Sequence, residues 1–456
     1  MLERKFTHYL EHFLTKETDK ILLVNGARQI GKSYIIRYVG TRLFSHFVEI
    51  NLKEDYEGER TFADVHTTGD LYMRLSNYCS EPLGDKSDTM IFLDEIQSYP
   101  HLMTLLKFLC QEGRYRFIAS GSQLGAALSA TPSVPIGSVT IRQMYPLDFE
   151  EFLWATGIGK EWIENIREKY LCEETLDEST HNILLKRFQY YLLVGGLPEA
   201  INHYLEDRSM ARVRQTHKDI YDLYRIDASQ YDKDHKLAIR KIYDLIPSNL
   251  ENKKKRIVYK NIEGVKGKTF SDYADEFEYL TNSGVALEVS AISNPHFPLA
   301  ESEQKRLLKL YLNDVGLLTS ILYGLNVNAV LQDLKSINLG TAYESVVAQE
   351  LAAHNFKLHY YDNKQKGEVD FLIDDYKMLK VLPVEIKSGK DYTAHSALNR
   401  FLNTPEYGVD RAYVFSNERK VCKKGGIVYL PIYYCMFLQN EQVNDDVILP
   451  ELETVI

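Results

Sequence analysis

An α/β fold built on a parallel sheet with helices on both faces is what this sequence predicts, and three observations predict it. Short apolar runs alternate with longer amphipathic stretches between residues 20 and 125, a glycine-rich loop joins the first run to the first helical stretch, and the third run ends in two adjacent acids. Ile21–Asn25, Phe47–Asn51, Thr89–Leu93 and Arg116–Ser120 have the length and apolar content of buried strands, each closed by polar or Gly positions. Ser33–Val39 and His101–Gln111 carry helical periodicity between them. Strand–helix alternation of this kind covers a parallel sheet on both faces.

A second region begins near Tyr145. Asp148 followed by Glu151 reads as a helix N-terminus with a capping box. The chain then reads as helical to about residue 245, interrupted at Gly195-Gly196-Leu197-Pro198-Glu199, where the glycines end one helix and Pro198 opens the next. Residues 235–325 alternate helices with short strands such as Leu287–Ile292 and carry a basic stretch, Lys253–Lys268. An α/β pattern returns from about residue 330, with a helix at Ala342–His354 and strands near 357–361, 368–373, 381–386 and 411–415.

The net charge of −10 counts against a DNA-coating role, because phosphate neutralisation dominates that affinity. A hydrophobic content of 45% with 26% charged residues is that of a soluble globular chain with material for more than one core. Met1–His12 holds no apolar run, which argues against a secretion signal, and no membrane span is expected. Cys79, Cys110, Cys172, Cys422 and Cys435 are scattered without a Cys-x-x-Cys pair, as in a reducing cytosol rather than a disulfide framework or zinc site. A cytoplasmic location is expected.

Gly26-Ala27-Arg28-Gln29-Ile30-Gly31-Lys32-Ser33 matches G-x-x-x-x-G-K-[ST] in full, between an apolar strand and an amphipathic helix, the context a P-loop requires. Its glycines let successive backbone N–H groups turn inward and cradle phosphates at a helix N-terminus. Lys32 would bridge β- and γ-phosphate oxygens and the Ser33 hydroxyl would help hold Mg²⁺, so ATP and Mg²⁺ are the expected ligands. Met90-Ile91-Phe92-Leu93-Asp94-Glu95 places two acids at the carboxyl end of a buried strand, where open α/β sheets bind ligands. Asp94 is expected in the Mg²⁺ shell and Glu95 as the residue that orients and activates water. Phe117–Ser122 ends another strand, and either Ser120 or Ser122 would meet the γ-phosphate or the water. Ser122 joins Glu95 and Lys32 as a catalytic candidate, although a plain turn would explain both serines. Arg142 and Arg116 are arginine-finger candidates, with nothing to single one out.

With these residues assembled, the chain resembles a widespread prokaryotic family of AAA-type ATPases that carry a C-terminal domain of uncharacterised function. The resemblance covers nearly the whole length. It rests on Gly26–Ser33, Leu93-Asp94-Glu95-Ile96-Gln97 and Ser120-Gly121-Ser122, then on Tyr145–Leu153, Gly195–Glu199 and Lys309–Leu318. It implies an AAA-like P-loop NTPase core at 1–155, a helical lid or linker at 156–234, a winged-helix-like segment at 235–328 and a small restriction-endonuclease-like α/β domain at 329–456. It also implies a homo-oligomer, since AAA-type sites often lie between subunits. Many members carry Gly-Arg where this chain has Gly137-Ser138, and an arginine role there has no residue to carry it.

Glu368-Val369-Asp370, followed by Glu385-Ile386-Lys387, looks like the D…E-x-K core of restriction-endonuclease-type folds. Two acids at the ends of adjacent strands can hold a divalent metal, and Lys387 points the same way as Glu385 because strand side chains alternate. Lys387 would then position or deprotonate water. Glu344, on the preceding helix, fills the place of a further acid. The alternative is a retained fold whose acids are satisfied by salt bridges with Lys387. Lys253-Lys254-Lys255-Arg256 with Lys260, Lys266 and Lys268 would suit phosphates. The helix after it, Ser271–Leu280, carries four acids and would be repelled by a nucleic-acid groove. The expected function is an ATP-hydrolysing switch or motor acting on a protein or DNA partner, away from membranes. A metal-dependent nuclease controlled by the ATPase and a low-turnover ATP-dependent sensor are the alternatives.

Overall fold

Two sheets organise the chain. The computed structural model describes residues 2–16, 18–79, 82–122, 124, 137–230, 236–252, 254–332, 339–389 and 391–440. Lys253 of the basic stretch and the domain limit at 234/235 lie outside those residues.

The first sheet contains β1 (Ile21–Asn25), β2 (His46–Asn51), β3 (Thr89–Asp94), β4 (Arg116–Gly121) and β5 (Val139–Gln143) in the order β2-β3-β4-β1-β5, and every neighbouring pair is parallel. Alternation along β1 divides its side chains between two cores. Leu22 and Val24 pack with Ile35, Ile36 and Phe152, whereas Ile21 and Leu23 pack with Leu102, Leu106 and Leu75. Helices therefore cover both faces, as the alternation of runs implies. β5 escaped the sequence pattern. Among the described residues it pairs only with β1, and it is half-buried and exposes Ile141, so it lacks the continuous apolar run of its neighbours.

The second sheet joins β6 (Ala286–Ile292), β7 (Glu303–Leu312), β8 (His359–Asn363), β9 (Gly367–Asp375), β10 (Lys380–Lys387), β11 (Ala412–Ser416), β12 (Cys422–Lys424) and β13 (Ile427–Pro431) in the order β12-β13-β11-β10-β9-β8-β6-β7. The β6–β7 hairpin pairs antiparallel within itself, and β6 adds in parallel to β8 through Ser290↔His359. A hairpin from the segment assigned to 235–328 thus continues the sheet of the segment assigned to 329–456.

The motifs that carried the resemblance meet in space. The helix Glu178–Val194 stops at Gly195, whose φ of 69° is left-handed, and Gly196 donates its N–H to Asp314 Oδ2 at 2.6 Å. A Cβ on Gly196 would lie 2.0 Å from Leu147 O, so only glycine admits this approach. Asp314 also caps the helix Val315–Tyr323 by accepting from Leu317 N at 3.1 Å, and burial pushes its carboxyl up to about 6. Arg214 Nη1 donates to Leu193 O, an orphan carbonyl in the last turn of Glu178–Val194, and to Gly316 O at the start of the next helix, each at 3.1 Å. Asp148 and Glu151 form the capping box that opens Phe149–Ala155.

That capping box is the centre of a buried charged junction. Arg4 pairs with Glu151 at 3.0 Å, and donates to Tyr145 O at 2.6 Å and to Ile30 O of the glycine-rich loop at 3.2 Å. Lys5 reaches Asp148 at 2.7 Å and Glu150 at 2.6 Å. His354, the residue just after the helix Leu339–Ala353, contacts Asp148 at 3.2 Å, and Glu350 Oε1 in that helix's last turn accepts from Phe149 N at 2.7 Å. Burial opposes charge on Asp148, yet Lys5 and His354 together hold its carboxyl below the usual range. Among the described residues all five cysteines are unpaired, and no helix is long and apolar enough to cross a membrane.

Candidate active site

β1 runs directly into the glycine-rich loop, which turns through Gly26 (φ 154°), Gln29 (φ 63°) and Gly31 (φ 95°) into the helix Lys32–Leu43. At Gly26 a Cβ would sit 2.5 Å from Met144 O, which ties the turn's tightness to β5 beside it. Ala27 and Ile30 are buried beneath the loop, leaving the backbone and the Arg28 side chain above. Lys32 Nζ donates to Gly26 O and Ala27 O at 2.8 Å each. Burial lowers its pKa to about 8, against the opposing pull of Glu95 and Asp94.

The acids arrive from the neighbouring part of the sheet. β3 carries Asp94 to its carboxyl end, level with Asn51 of β2. Ser33 Oγ donates to Asp94 Oδ2 at 2.7 Å, and the Ser120 hydroxyl donates to Asp94 Oδ1. Glu95 has left-handed backbone (φ 54°), and Gln97 Nε2 holds its Oε2 at 2.6 Å. Arg28 spans from Glu95, at 3.8 Å, to Asp227, at 3.2 Å. Beside Asp94 and Glu95 lies an open cavity of about 530 Å³ whose other lining includes Arg28, Asn51, Lys53 and Glu54.

Lys32, Ser33, Asp94 and Glu95 are thus brought to one place. Of the two serines, Ser120 is the one bonded to Asp94, whereas Ser122 Oγ is buried with no hydrogen-bond partner among the described residues. Arg116 donates to the carbonyls of Thr18 and Lys16, and Arg142 stacks 4.8 Å over the Tyr9 ring, so both are engaged away from the acids. Gln97, Asp227 and Tyr224, whose hydroxyl donates to Arg28 O at 2.7 Å, were not picked out as site residues. Gln97 lies within a stretch the motif already covered; Asp227 and Tyr224 come from a helix about two hundred residues downstream, and no spacing rule connects them.

Residues 18–153 match the family model described as an AAA domain. This is an AAA-type P-loop domain. Beyond the AAA domain, residues 185–329 match a domain of unknown function (DUF8612) and residues 339–435 another (DUF4143). Comparison with curated proteins finds no match. Among solved structures, a Walker-type ATPase of Pyrococcus abyssi is 14% identical, over 73% of this chain and 96% of its own, with a TM-score of 0.43. Cdc6p of Pyrobaculum aerophilum is 11% identical over 73% and 95%, with a TM-score of 0.26. The RuvB Holliday junction branch migration motor of Thermotoga maritima is 15% identical over 62% and 89%, with a TM-score of 0.28. At such distances these likenesses carry no functional argument.

A second group of charged residues gathers on the other sheet. Asp370 accepts from Ile386 N at 2.8 Å, and Lys387 Nζ donates to Glu385 Oε1 at 2.7 Å. Glu344 accepts from the Tyr311 hydroxyl at 3.3 Å and pairs with Lys255. Burial, reinforced by Glu385 and Glu344, pushes the Asp370 carboxyl well above its ordinary range, and burial also raises Glu385 despite Lys387. The four residues read from the D…E-x-K pattern are therefore neighbours. Among the described residues, the donors that converge within 4.8 Å of one another are instead Asp148, Glu350 and His354 of the charged junction.

Proposed function

We propose that the chain is an ATP-binding and ATP-hydrolysing AAA switch or motor. The observation that carries this reading is the convergence of Lys32, Ser33, Asp94 and Glu95 at the top of one parallel sheet, joined by the 2.7 Å bond from Ser33 to Asp94. The donor set fits Mg²⁺: a hydroxyl and a carboxylate are hard oxygen ligands for an ion that keeps several waters and binds through one or two carboxylates plus phosphates. Ser33 and Asp94 are the residues that would hold it, and the bound ion would draw negative charge off the phosphate oxygens.

The chain's own residues supply the rest. Lys32 gives two of its three donors to Gly26 O and Ala27 O, and it would turn outward from them to meet a triphosphate. The backbone N–H groups of the loop and helix start present their dipoles to the same anion. Glu95, steadied by Gln97, accepts a proton from attacking water and orients it. Ser120 fixes Asp94 from the far side, which keeps the carboxylate facing Ser33. Arg28, held between Glu95 and Asp227, links the hydrolytic acid to the helix Met210–Gln230, an element through which nucleotide state would reach the remaining modules and a protein or DNA partner.

A pH profile tests the Lys32 role. The triphosphate binds the ammonium form, and burial has lowered the Lys32 pKa to about 8. ATP affinity is therefore expected to be level below pH 8 and to weaken above it by up to about tenfold per pH unit. A fluorescent ATP analogue titrated between about pH 6.5 and 9.5 reads this; Lys32→Ala should bind weakly throughout and show no such slope. A wild-type affinity that Lys32→Ala shares would contradict the reading.

A metal-dependent nuclease controlled by this ATPase is the second reading, favoured by one observation: Asp370, Glu385 and Lys387 are bonded within one strand pair, with Glu344 beside them.

A further inference from the structure

The glycine-rich loop carries two cations, Lys32 and Arg28, and Arg28 stands on the side away from the buried Ala27 and Ile30. There it shares the cavity of about 530 Å³ with Asp94 and Glu95. Its Nη2 lies 3.8 Å from Glu95 Oε2, the oxygen that Gln97 already holds at 2.6 Å. Its Nε lies 3.2 Å from Asp227 Oδ2, yet Nε is buried with no hydrogen-bond partner among the described residues. The guanidinium is thus drawn by two acids, and neither takes from it the directed, two-pronged bond that suits it.

Phosphoryl transfer calls for a cation on the charge that develops at the γ-phosphate, and an arginine in that place is worth about 10³–10⁵ in rate. Arg116 and Arg142 are occupied with the Thr18 and Lys16 carbonyls and with the Tyr9 ring, and Gly137-Ser138 brings none. Arg28 already lies beside both Asp94 and Glu95. A triphosphate brings more negative charge into this cavity than either carboxylate, and its oxygens accept the guanidinium fork in pairs.

We propose that Arg28 is the stimulatory arginine of this reaction, supplied in cis by the phosphate loop itself: with ATP in the cradle, its guanidinium leaves Glu95 and Asp227 and bonds the γ-phosphate oxygens. This rests on the ATPase reading of the same site and adds a catalytic residue to it. The departure of Arg28 leaves the Glu95 carboxylate to the attacking water. Asp227, on the helix Met210–Gln230, is the latch that keeps the guanidinium while the cradle is empty.

The test compares Arg28→Ala, Arg28→Lys and Asp227→Asn with wild type in the full chain. Arg28→Ala is expected to bind ATP within about fivefold of wild type and to hydrolyse it at least about a hundredfold more slowly. Arg28→Lys should stay below about a tenth of the wild-type rate, because an ammonium lacks the fork. Equilibrium binding of ADP with aluminium fluoride, which mimics the transferring phosphoryl group, reads the same contact without turnover. Wild type should hold the mimic at least about a hundredfold more tightly than ADP alone, and Arg28→Ala should lose most of that gain. Asp227→Asn should move the other way, tightening ATP binding by about threefold while turnover persists. Arg28 is partly exposed, and matching melting curves show that the variants fold; Arg28→Gln replaces any that does not. Slowing of Asp227→Asn as deep as that of Arg28→Ala would make the ion pair structural and overturn the proposal. A wild type that hydrolyses ATP and holds the mimic, beside an Arg28→Ala that does both equally, overturns this proposal alone. A wild type that does neither overturns the ATPase reading with it.

Discussion

Glu95→Gln is expected to bind ATP as tightly as wild type and to hydrolyse it at least about a hundredfold more slowly. The amide matches the carboxylate in size and can still accept from Gln97, so the strand end and the loop stay in place. What is lost is the capacity to take a proton from water, together with the charge 3.8 Å from Arg28. Phosphate release measured beside equilibrium nucleotide binding separates the two properties. Unchanged hydrolysis would take Glu95 out of the reaction and leave its left-handed backbone without a catalytic reason.

Arg4→Met is expected to destabilise the fold by about 3–5 kcal/mol, the range for removing one partner of a buried ion pair. Arg4 is 4% exposed and Glu151 3%. Burial pushes the Glu151 carboxyl up, with the Asp148 charge adding to it, and Arg4 is the strongest charge acting against that. Without the guanidinium, Glu151 must protonate or remain as an uncompensated charge, and the carbonyls of Tyr145 and Ile30 lose their donor. Urea denaturation reads the loss directly. Combining Arg4→Met with Glu151→Gln should return part of it, because the penalty lies in the stranded charge rather than in the missing contact. ATP affinity should fall too, since Ile30 belongs to the phosphate loop.

The local features of this chain were legible because their signals are local. β1 occupies Ile21–Asn25 as its apolar run indicates, and the loop after it is defined by eight consecutive residues. β3 runs one residue past its apolar run because Asp94 still pairs with Asn51. β13 and the turn Ile432–Phe437 passed unread although wholly buried; their apolar residues run on without the polar boundary that marks a strand end. The choice between Ser120 and Ser122 was open in the sequence because a spacing of two puts both on one face of a strand; β4 ends at Gly121, so Ser120 stays in the strand beside Asp94 and Ser122 falls past its end. Contacts that join modules left no trace in the spacing. Arg4 finds Glu151 across 147 residues, Lys255 finds Glu344 across 89, and Arg28 finds Asp227 on a helix that the loop motif does not foreshadow. Such pairs depend on how the helices after Tyr145 pack against the first sheet, which composition and periodicity do not encode.

The most direct measurement is the anomalous signal of Mn²⁺ in crystals of the chain grown with a non-hydrolysable ATP analogue. The account predicts a manganese peak within bonding or water-bridged reach of Ser33 and Asp94, with Lys32 turned from Gly26 O and Ala27 O onto the phosphates. Nucleotide bound elsewhere, or phosphates in the loop with the metal remote from both Ser33 and Asp94, would contradict it.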